Sequence, residues 1–334
     1  MKLALAVDGG NSKTDLALVD AEGSVLALVR GQLSSPHHIG LDGCLDVLEN
    51  LLAEALREAG LARRNGPVAE IGAFLLAGVD FPNEERELET ALGARAWSAR
   101  TIVGNDTFAV LRAGTERGWG VAVVCGSGIN CVGVGPDGRH VRFPALGAIT
   151  GDWGGGFDVG MAALSAAARS EDGRGPKTSL ERTVPAYFGV DTPLDLAEGI
   201  HVDRIPVRRI IELAPLVLAS AAEDPVAAEI VDRLAAEVVA LARAALVRLE
   251  LTGEPAEVLL GGGLMQAGDG RLLDAIRAGL GEVGPALAVR HTALPPIVGA
   301  ALLGLDELGA TPEAQERARR EFAGAVGPAE EGEG

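Results

Sequence analysis

The feature that most constrains the fold is a pattern that occurs twice, in which short apolar segments follow one another across tight turns. In residues 1–30 the segments are Leu3 to Val7, Thr14 to Val19 and Ser24 to Val29, with turns rich in glycine and aspartate between them. Short apolar runs bounded by such turns are typical of β-strands. Residues 120–143 repeat the pattern. We therefore predict two related halves, each beginning with an antiparallel meander.

The segments that follow each meander predict helices packed on the sheets. A helix near Leu41 to Ala59 follows the first meander, and a short strand from Thr101 to Gly104 comes later. A helical block from Asp158 to Leu251 follows the second meander, before a strand from Glu257 to Leu260 and a last helix from Pro296 to Leu308. Strands alternating with helices in this way predict an α/β fold with a cleft between the halves.

Composition excludes several classes of protein. Hydrophobic residues make up 48% of the chain, enough for a core, whereas the acidic tail 327–334 lacks apolar residues and is expected to be disordered. The formal net charge of −18 disfavours nucleic acid as a partner, because its phosphates require a basic surface. Three cysteines, an odd number, indicate reduced thiols in a cytoplasmic protein. No apolar run is long enough to span a membrane.

Residues 8–14, Asp-Gly-Gly-Asn-Ser-Lys-Thr, lie between the first two predicted strands. The glycines allow backbone N–H groups to turn inward, and Ser12, Lys13 and Thr14 offer further donors to a phosphate. The Lys-Thr ending is similar to a Walker A loop, but the second glycine of that motif is missing and a strand follows instead of a helix. The segment is therefore a candidate phosphate loop, with an ordinary hairpin turn as the alternative.

Further glycine-rich segments occur in the second half, at 126–130, 151–156 and 261–263. Each predicts a close approach of the backbone to a ligand, and an ordinary turn or linker is the alternative in each case. Residues 133–138 match the dinucleotide motif G-x-G-x-x-G literally. Because a strand-like segment follows rather than a helix, we predict a hairpin there.

Asn105 and Asp106 end an apolar strand and begin a helix. A carboxylate in that position, beside a cleft, can serve as a general base. It can also be a simple helix N-cap, although Thr107 could fill that role instead. His37 could contact a substrate, whereas no histidine spacing is typical of a zinc site.

Taken in order, these loops resemble the N-acetylglucosamine kinase family, part of a wider group that includes the ATPases that activate benzoyl-CoA reductase and hydroxyacyl-CoA dehydratases. The resemblance extends from residue 1 to about residue 309 and rests on residues 8–15, 105–106, 126–131, 147–156, 260–263 and 299–304. It implies the actin-like ATPase fold, with two ribonuclease-H-like domains around a nucleotide cleft. The expected domains are 1–108 and 109–299, the second with helical insertions, and a helix around 300–325 is expected to pack back on the first.

The resemblance also implies a role for each residue at a matching position. Asp106 would accept the proton of a sugar's 6-hydroxyl, and Asp8 would hold Mg²⁺ through water. The ATP-binding residues would be Gly9, Gly10, Asn11, Ser12, Lys13, Thr14, Gly126, Ser127, Gly128, Gly262 and Gly263. The sugar-binding residues would be His37, Asn105, Asp106, Ile129, Asn130, Gly147 and Asp152.

The expected activity is the phosphorylation of the 6-hydroxyl of an amino sugar by ATP and Mg²⁺, with N-acetylglucosamine as the first candidate, in a cytoplasmic homodimer without nucleic-acid or membrane partners. Ile129 and Trp153 stand where the family usually has polar residues, which leaves the identity of the sugar open. One alternative is an activator-type ATPase with an iron–sulfur cluster shared by a dimer, for which only Cys125 and Cys131 are candidates. A sugar sensor without catalytic activity is the other alternative.

Overall fold

The computed structural model describes residues 1–63, 66–292 and 294–325. The tail 327–334, which we expect to be disordered, lies outside the described residues. Contacts divide the chain into two compact units, one formed by Met1–Trp119 together with the segment from Thr292 onward, the other by Gly120–His291. The domain limits inferred from the sequence stay a proposal. Within the described residues, no helix is both long and apolar enough to cross a membrane.

The first unit is built around a mixed five-stranded sheet with the strand order β3-β2-β1-β4-β5. Its first elements are β1 (Leu3–Gly9), β2 (Lys13–Asp20), β3 (Val25–Gln32), α1 (Pro36–Glu58), β4 (Ala69–Leu76), α2 (Pro82–Arg95), β5 (Ser98–Gly104) and α3 (Thr107–Gly114). β1 pairs with β2 in the antiparallel sense, whereas β1, β4 and β5 run parallel. The carboxyl ends of these three parallel strands therefore lie at one edge of the sheet.

The second unit contains a sheet of the same kind, with the strand order β10-β9-β6-β7-β8. Its strands are β6 (Gly120–Cys125), β7 (Ile129–Val134), β8 (His140–Arg142), β9 (Glu257–Gly261) and β10 (Ala288–His291). Its helices are α4 (Gly155–Glu171), α5 (Leu180–Tyr187), α6 (Pro193–His201), α7 (Ala214–Ser220), α8 (Pro225–Arg248), α9 (Gly263–Gln266) and α10 (Gly270–Val283), with 3₁₀ helices at Gly147–Ile149 and Val207–Leu213. Since the antiparallel and parallel pairings match those of the first sheet, the predicted duplication is confirmed.

The chain ends with α11 (Pro296–Leu308) and α12 (Pro312–Ala325), which belong to the first unit. α11 packs against α3 at very close range, because a Cβ at Gly299 would lie 1.8 Å from the carbonyl oxygen of Ala109. Arg112 of α3 donates two hydrogen bonds to the carboxylate of Asp306 in α11, at 2.7 and 3.0 Å. These contacts fix the helix that follows the candidate base.

Side chains alternate across the first sheet, as they must in a pleated strand. In β1, Leu5 and Val7 belong to the cluster that includes the buried leucines of α1, and Ala6 belongs to the cluster that includes α11. The small residues on the α11 side allow the helix to come close, since a Cβ at Gly304 would lie 2.8 Å from the Cβ of Ala4. Both faces of the sheet are thus covered by a largely aliphatic core.

Residues 133–138, the literal match to the dinucleotide motif, form a hairpin as predicted. Gly135 donates its N–H to the carbonyl of Arg139 at 2.7 Å, and Gly138 donates to the carbonyl of Gly135 at 3.0 Å. β7 and β8 pair on either side of this turn. No helix follows, so the segment lacks the helix N-terminus on which a pyrophosphate would bind.

Candidate active site

The first phosphate loop connects β1 to β2 and is closed by a hydrogen bond of 2.8 Å from Gly10 N to the carbonyl of Lys13. Asn11, Ser12 and Lys13 are exposed, so their side chains are accessible to a ligand. Thr14 differs, because it is fully buried and its hydroxyl donates to Ser34 at 2.8 Å. The hydroxyl proton of Thr14 is therefore used inside the protein rather than directed to a ligand.

The two glycines of this loop have different surroundings. A Cβ at Gly9 would lie 2.0 Å from the side chain of Leu76, so Gly9 is required for packing. A Cβ at Gly10 would meet only the carbonyl of Lys13, at 3.1 Å, and the amide of Ser12, at 4.0 Å. Gly10 thus leaves an open side of the loop where a phosphate can approach the backbone.

Asp8 lies near the end of β1, close to other carboxylates. Burial raises its pKa to about 8, the charges of Asp106 and Asp15 add to the rise, and Lys13 and Arg30 oppose it. Arg30 is itself paired with Asp15 by two hydrogen bonds, at 2.6 and 3.0 Å. The site therefore has an excess of negative charge that a bound cation would relieve.

This donor set suits Mg²⁺ held through water better than a cage of protein ligands. Among the described residues, no group of three or more His, Cys, Asp or Glu side chains is arranged to hold a metal ion. Mg²⁺ commonly keeps several waters and binds through one or two carboxylates together with substrate phosphates. Asp8, partly buried and close to the carboxylates of Asp106 and Asp15, fits that mode.

We predict from the raised pKa that Asp8 lowers the stability of the free protein. Between pH values of about 4 and 8 the folded carboxyl stays protonated while the unfolded one ionises, so its contribution to stability falls as the pH rises. Asp8→Asn should therefore raise the unfolding midpoint by a few degrees at pH 8 without ATP or Mg²⁺, and the gain should disappear near pH 4. Thermal unfolding across this pH range measures the difference, and an equal or lower midpoint at pH 8 would contradict the assignment.

Asp106 is at the start of α3, directly after β5 and Asn105. It makes no capping hydrogen bond to the helix, whereas Oδ1 of Asn105 accepts one from the N–H of Thr107 at 2.9 Å. Burial raises the pKa of Asp106 to about 6, the charge of Asp80 adds to the rise, and the amide and hydroxyl of Thr107 oppose it. A carboxylate with such a pKa is ionised at neutral pH and is well suited to accept a proton.

His37 lies in the first turn of α1, where its Nε2 is 3.1 Å from Oε1 of Glu84. A Cβ at Gly78, whose φ is +79°, would lie 3.1 Å from the His37 ring. His37 contributes to the lining of a cavity of about 290 Å³ in the first unit, whose other lining residues are Pro36, Leu41, Gly78, Val79, Asn83, Glu84, Glu87 and Leu88. The predicted substrate residue is therefore beside a space that can hold a small group.

In the second unit, the turn between β6 and β7 forms the other candidate phosphate loop. Ser127 is exposed, while the carbonyls of Gly126 and Ser127 accept hydrogen bonds from the first residues of α4, at 2.8 and 2.9 Å. Gly155 has a φ of +79°, and a Cβ there would lie 2.3 Å from the carbonyl oxygen of Gly128. The glycines at 154–156 thus let α4 begin directly against this loop, which argues against a flexible linker.

Gly262 also comes close to this region, because it follows β9, the strand next to β6. Its φ is +87°, and a Cβ would lie 2.2 Å from the carbonyl oxygen of Cys125. Gly263, in contrast, has open space around its Cα, as do Gly126 and Gly128. The structure therefore brings the three glycine-rich segments of the second unit together, with open backbone at three of their glycines.

Three of the predicted sugar-binding residues in the second unit are Asn130, Gly147 and Asp152. Asn130 is half-buried, and its Oδ1 accepts from the N–H of Cys131 at 2.7 Å. Gly147 begins a 3₁₀ helix with a φ of +60°. Asp152 accepts a hydrogen bond from the hydroxyl of Thr150 and is half-buried. Their side chains or backbone remain accessible in part, as sugar-binding residues require.

The two positions that differ from the family pattern lie in different environments. Ile129 is 6% exposed and packs beside Gly154. Trp153 is half-buried, and the guanidinium of Arg233 lies over its ring, 4.0 Å from the centroid. One face of the indole is thus covered by a cation, and Ile129 contributes mainly to packing.

Cys125 and Cys131, the candidate iron–sulfur ligands of the alternative reading, are fully buried in β6 and β7. Burial raises the pKa of both thiols, that of Cys125 to about 12. They have the properties of small core hydrophobes, as the flanking valines predict.

Comparison with known proteins decides the family. The profile of the BadF/BadG/BcrA/BcrD ATPase family matches residues 5–304. The chain belongs to this family. The resemblance inferred from the loops is thereby confirmed.

Two curated proteins and one solved structure are similar over much of the chain. An N-acetylmuramic acid/N-acetylglucosamine kinase of Clostridium acetobutylicum is 30% identical over 65% of this chain and 70% of its own length. An N-acetyl-D-glucosamine kinase of Dictyostelium discoideum is 25% identical over 91% of this chain and 98% of its own. A crystal structure from Chromobacterium violaceum, provisionally named an N-acetylglucosamine kinase, is 26% identical with a TM-score of 0.71, covering 91% of this chain and 99% of that one. The predicted two-domain α/β fold of this ATPase group is confirmed.

Sequence reasoning missed three residues of the first unit that the structure places beside the predicted ones. They are Ser34, which accepts from Thr14, Asp80, which accepts from Asn105, and Glu84, which lies against His37. Asp80 carries a signal that could have been used, since it follows the strand β4 as Asp106 follows the strand β5. Ser34 and Glu84 make their contacts with segments that are distant in the sequence, so no local sequence pattern indicates them.

Proposed function

We propose that this protein is an ATP-dependent kinase that phosphorylates the 6-hydroxyl of an amino sugar, with N-acetylglucosamine as the first candidate. The observation that carries the proposal is Asp106, a half-buried carboxylate with a pKa of about 6 that does not cap its helix. Carboxylates with perturbed pKa values cluster at functional sites, which supports a catalytic role for Asp106. The named activities of the relatives support the same reaction.

In this proposal the chain acts mainly by positioning the reactants and by stabilising charge. Asp106 orients the attacking hydroxyl and accepts its proton. The open backbone at Gly10 and the exposed side chains of Asn11, Ser12 and Lys13 bind phosphate oxygens from the first unit. Residues 126–128 are the candidate phosphate-binding residues of the second unit, and residues 262–263 are its candidates for contact with the adenosine.

Mg²⁺ would be held at Asp8 through water, and when bound it neutralises charge on the ATP phosphates. Lys13 lowers the pKa of Asp8 and so already favours its ionised form. The candidate sugar-binding residues that keep accessible atoms are His37, Asp106, Asn130, Gly147 and Asp152. Asn105 and Ile129, which the resemblance also assigns to the sugar, are buried.

The proposal predicts an acid limb in the pH profile. Asp106 must be ionised to accept a proton, so kcat/KM for the sugar should fall as the pH drops through about 6 and level off above it. Steady-state rates at saturating ATP and Mg²⁺ between about pH 3 and pH 9, on the order of ten values, define the limb. A limb centred near pH 4, the range of an unperturbed aspartate, would contradict the role given to Asp106.

The function itself is tested by sugar-dependent release of ADP. We expect release with at least one sugar of a panel made of N-acetylglucosamine, N-acetylmuramic acid, N-acetylmannosamine, glucosamine and glucose. A sensor would bind a sugar without turnover, and an activator-type ATPase would release ADP at a rate that no sugar changes. Either of these results would exclude the kinase.

A further inference from the structure

Asp80, in the loop between β4 and α2, is hydrogen-bonded to the residue that precedes the candidate base. Nδ2 of Asn105 donates to Oδ1 of Asp80 at 2.9 Å. Oδ1 of the same Asn105 side chain accepts from the backbone N–H of Thr107, also at 2.9 Å. Since Asn105 is only 3% exposed, one buried amide links the loop after β4 to the first turn of α3.

The loop that carries Asp80 is itself fixed. Oε2 of Glu84, in the first turn of α2, accepts from the backbone N–H groups of Asp80 and Phe81, both at 2.8 Å. Oε1 of the same carboxylate is the atom that lies 3.1 Å from Nε2 of His37. A side chain whose backbone is anchored in this way presents its carboxylate in a defined direction.

We propose that Asp80 is a positioning residue for phosphoryl transfer, which orients the amide of Asn105 and through it holds the strand-to-helix junction that carries Asp106. This inference rests on the proposed function. Asp80 follows β4 at the edge where the parallel strands β1, β4 and β5 end, and its carboxylate accepts a hydrogen bond from Asn105. Because rates depend steeply on the placement of a general base, the loss of Asp80 should act on turnover rather than on nucleotide binding.

Three variants test this role. Asp80→Ala removes the acceptor for Asn105, Asp80→Asn keeps an oxygen acceptor in the same place, and Asp232→Ala is a matched control that breaks a two-bond pair with Arg271 in the second unit. We expect Asp80→Ala to lower kcat by about 10- to 10²-fold, with the KM for ATP within about twofold of wild type. Asp80→Asn should recover kcat to within about fivefold, and the control should leave it unchanged. Circular dichroism verifies that each variant is folded.

A double-mutant cycle with Asn105→Ala separates a shared role from two independent ones. If Asp80 acts through Asn105, the double variant should have the kcat of the slower single variant, because the link is already lost. Effects that multiply, or an unchanged kcat in folded Asp80→Ala, would overturn the proposal. An Asp80→Asn variant as slow as Asp80→Ala would also overturn the proposal, because the hydrogen-bond acceptor at this position would then not determine kcat.

A readout without turnover distinguishes this inference from the proposed function. The NMR signals of the Asn105 side-chain amide, assigned by their loss in Asn105→Ala, should shift in Asp80→Ala and stay in place in Asp232→Ala. Unchanged signals in Asp80→Ala would overturn the inference even in an active kinase. A wild-type protein that phosphorylates no sugar of the panel would instead contradict the proposed function, while the amide signals still report on the link.

Discussion

Asp106→Asn is expected to lower kcat by about 10²- to 10⁴-fold, the usual cost of losing a general base. Asparagine keeps the size and hydrogen-bonding reach of the side chain but cannot accept the proton. The affinity for ATP should change little, because the proposed phosphate contacts lie in other loops. Steady-state kinetics and calorimetry on the same preparation measure the two effects separately.

The same variant distinguishes the base from a helix cap. Asparagine caps a helix about as well as aspartate, so a structural role predicts that stability and turnover both survive. In the structure, Oδ1 of Asn105 accepts from the N–H of Thr107 and the side chain of Asp106 makes no capping bond to α3, which favours the base. Near-wild-type turnover in a stably folded Asp106→Asn would remove Asp106 from the mechanism, and Asp152 would be the next candidate. Asp232→Asn serves as the control for a surface aspartate.

Gly10→Val should weaken ATP binding by roughly tenfold or more, because a branched side chain would fill the space in which a phosphate approaches the backbone. Gly10 is the better choice for this test, because a Cβ there meets only the carbonyl of Lys13 and the amide of Ser12, whereas one at Gly9 would collide with Leu76. Gly281→Val, at an exposed position of α10 with open space around it, is a matched control. Unchanged ATP affinity by calorimetry in folded Gly10→Val would mean that residues 8–14 are only a hairpin.

Much of the fold could be predicted because its signals are local. Apolar runs between glycine and aspartate turns located the meanders, and the helix Pro296–Leu308 has the predicted bounds. The edge strand β10 was missed because Ala288–His291 has no apolar run and is partly exposed. The predicted helix near Leu41 to Ala59 matches the part of α1 after Gly40, whose φ of +71° interrupts the helix, whereas the separate turn from Pro36 to Ile39 was not predicted.

The candidate site was predictable where its residues stand next to turns, and less so where its geometry depends on distant segments. The spacing of residues 8–14 marks a loop but does not reveal that the hydroxyl of Thr14 is directed to Ser34, twenty residues away. Likewise, Asn105 could be read as a candidate from its strand end, whereas its bond to Asp80 depends on the pairing of β4 with β5. The raised pKa values of Asp8 and Asp106 follow from burial and neighbouring charge, which only the folded sheet brings together.

The central claim is tested most directly by identifying the product formed from ATP, Mg²⁺ and N-acetylglucosamine. We expect ³¹P NMR to show a phosphate monoester signal coupled to the two hydrogens on carbon 6 of the sugar, in amounts equal to the ADP formed. Inorganic phosphate with unmodified sugar, or a phosphoryl group on the anomeric oxygen, would contradict the account.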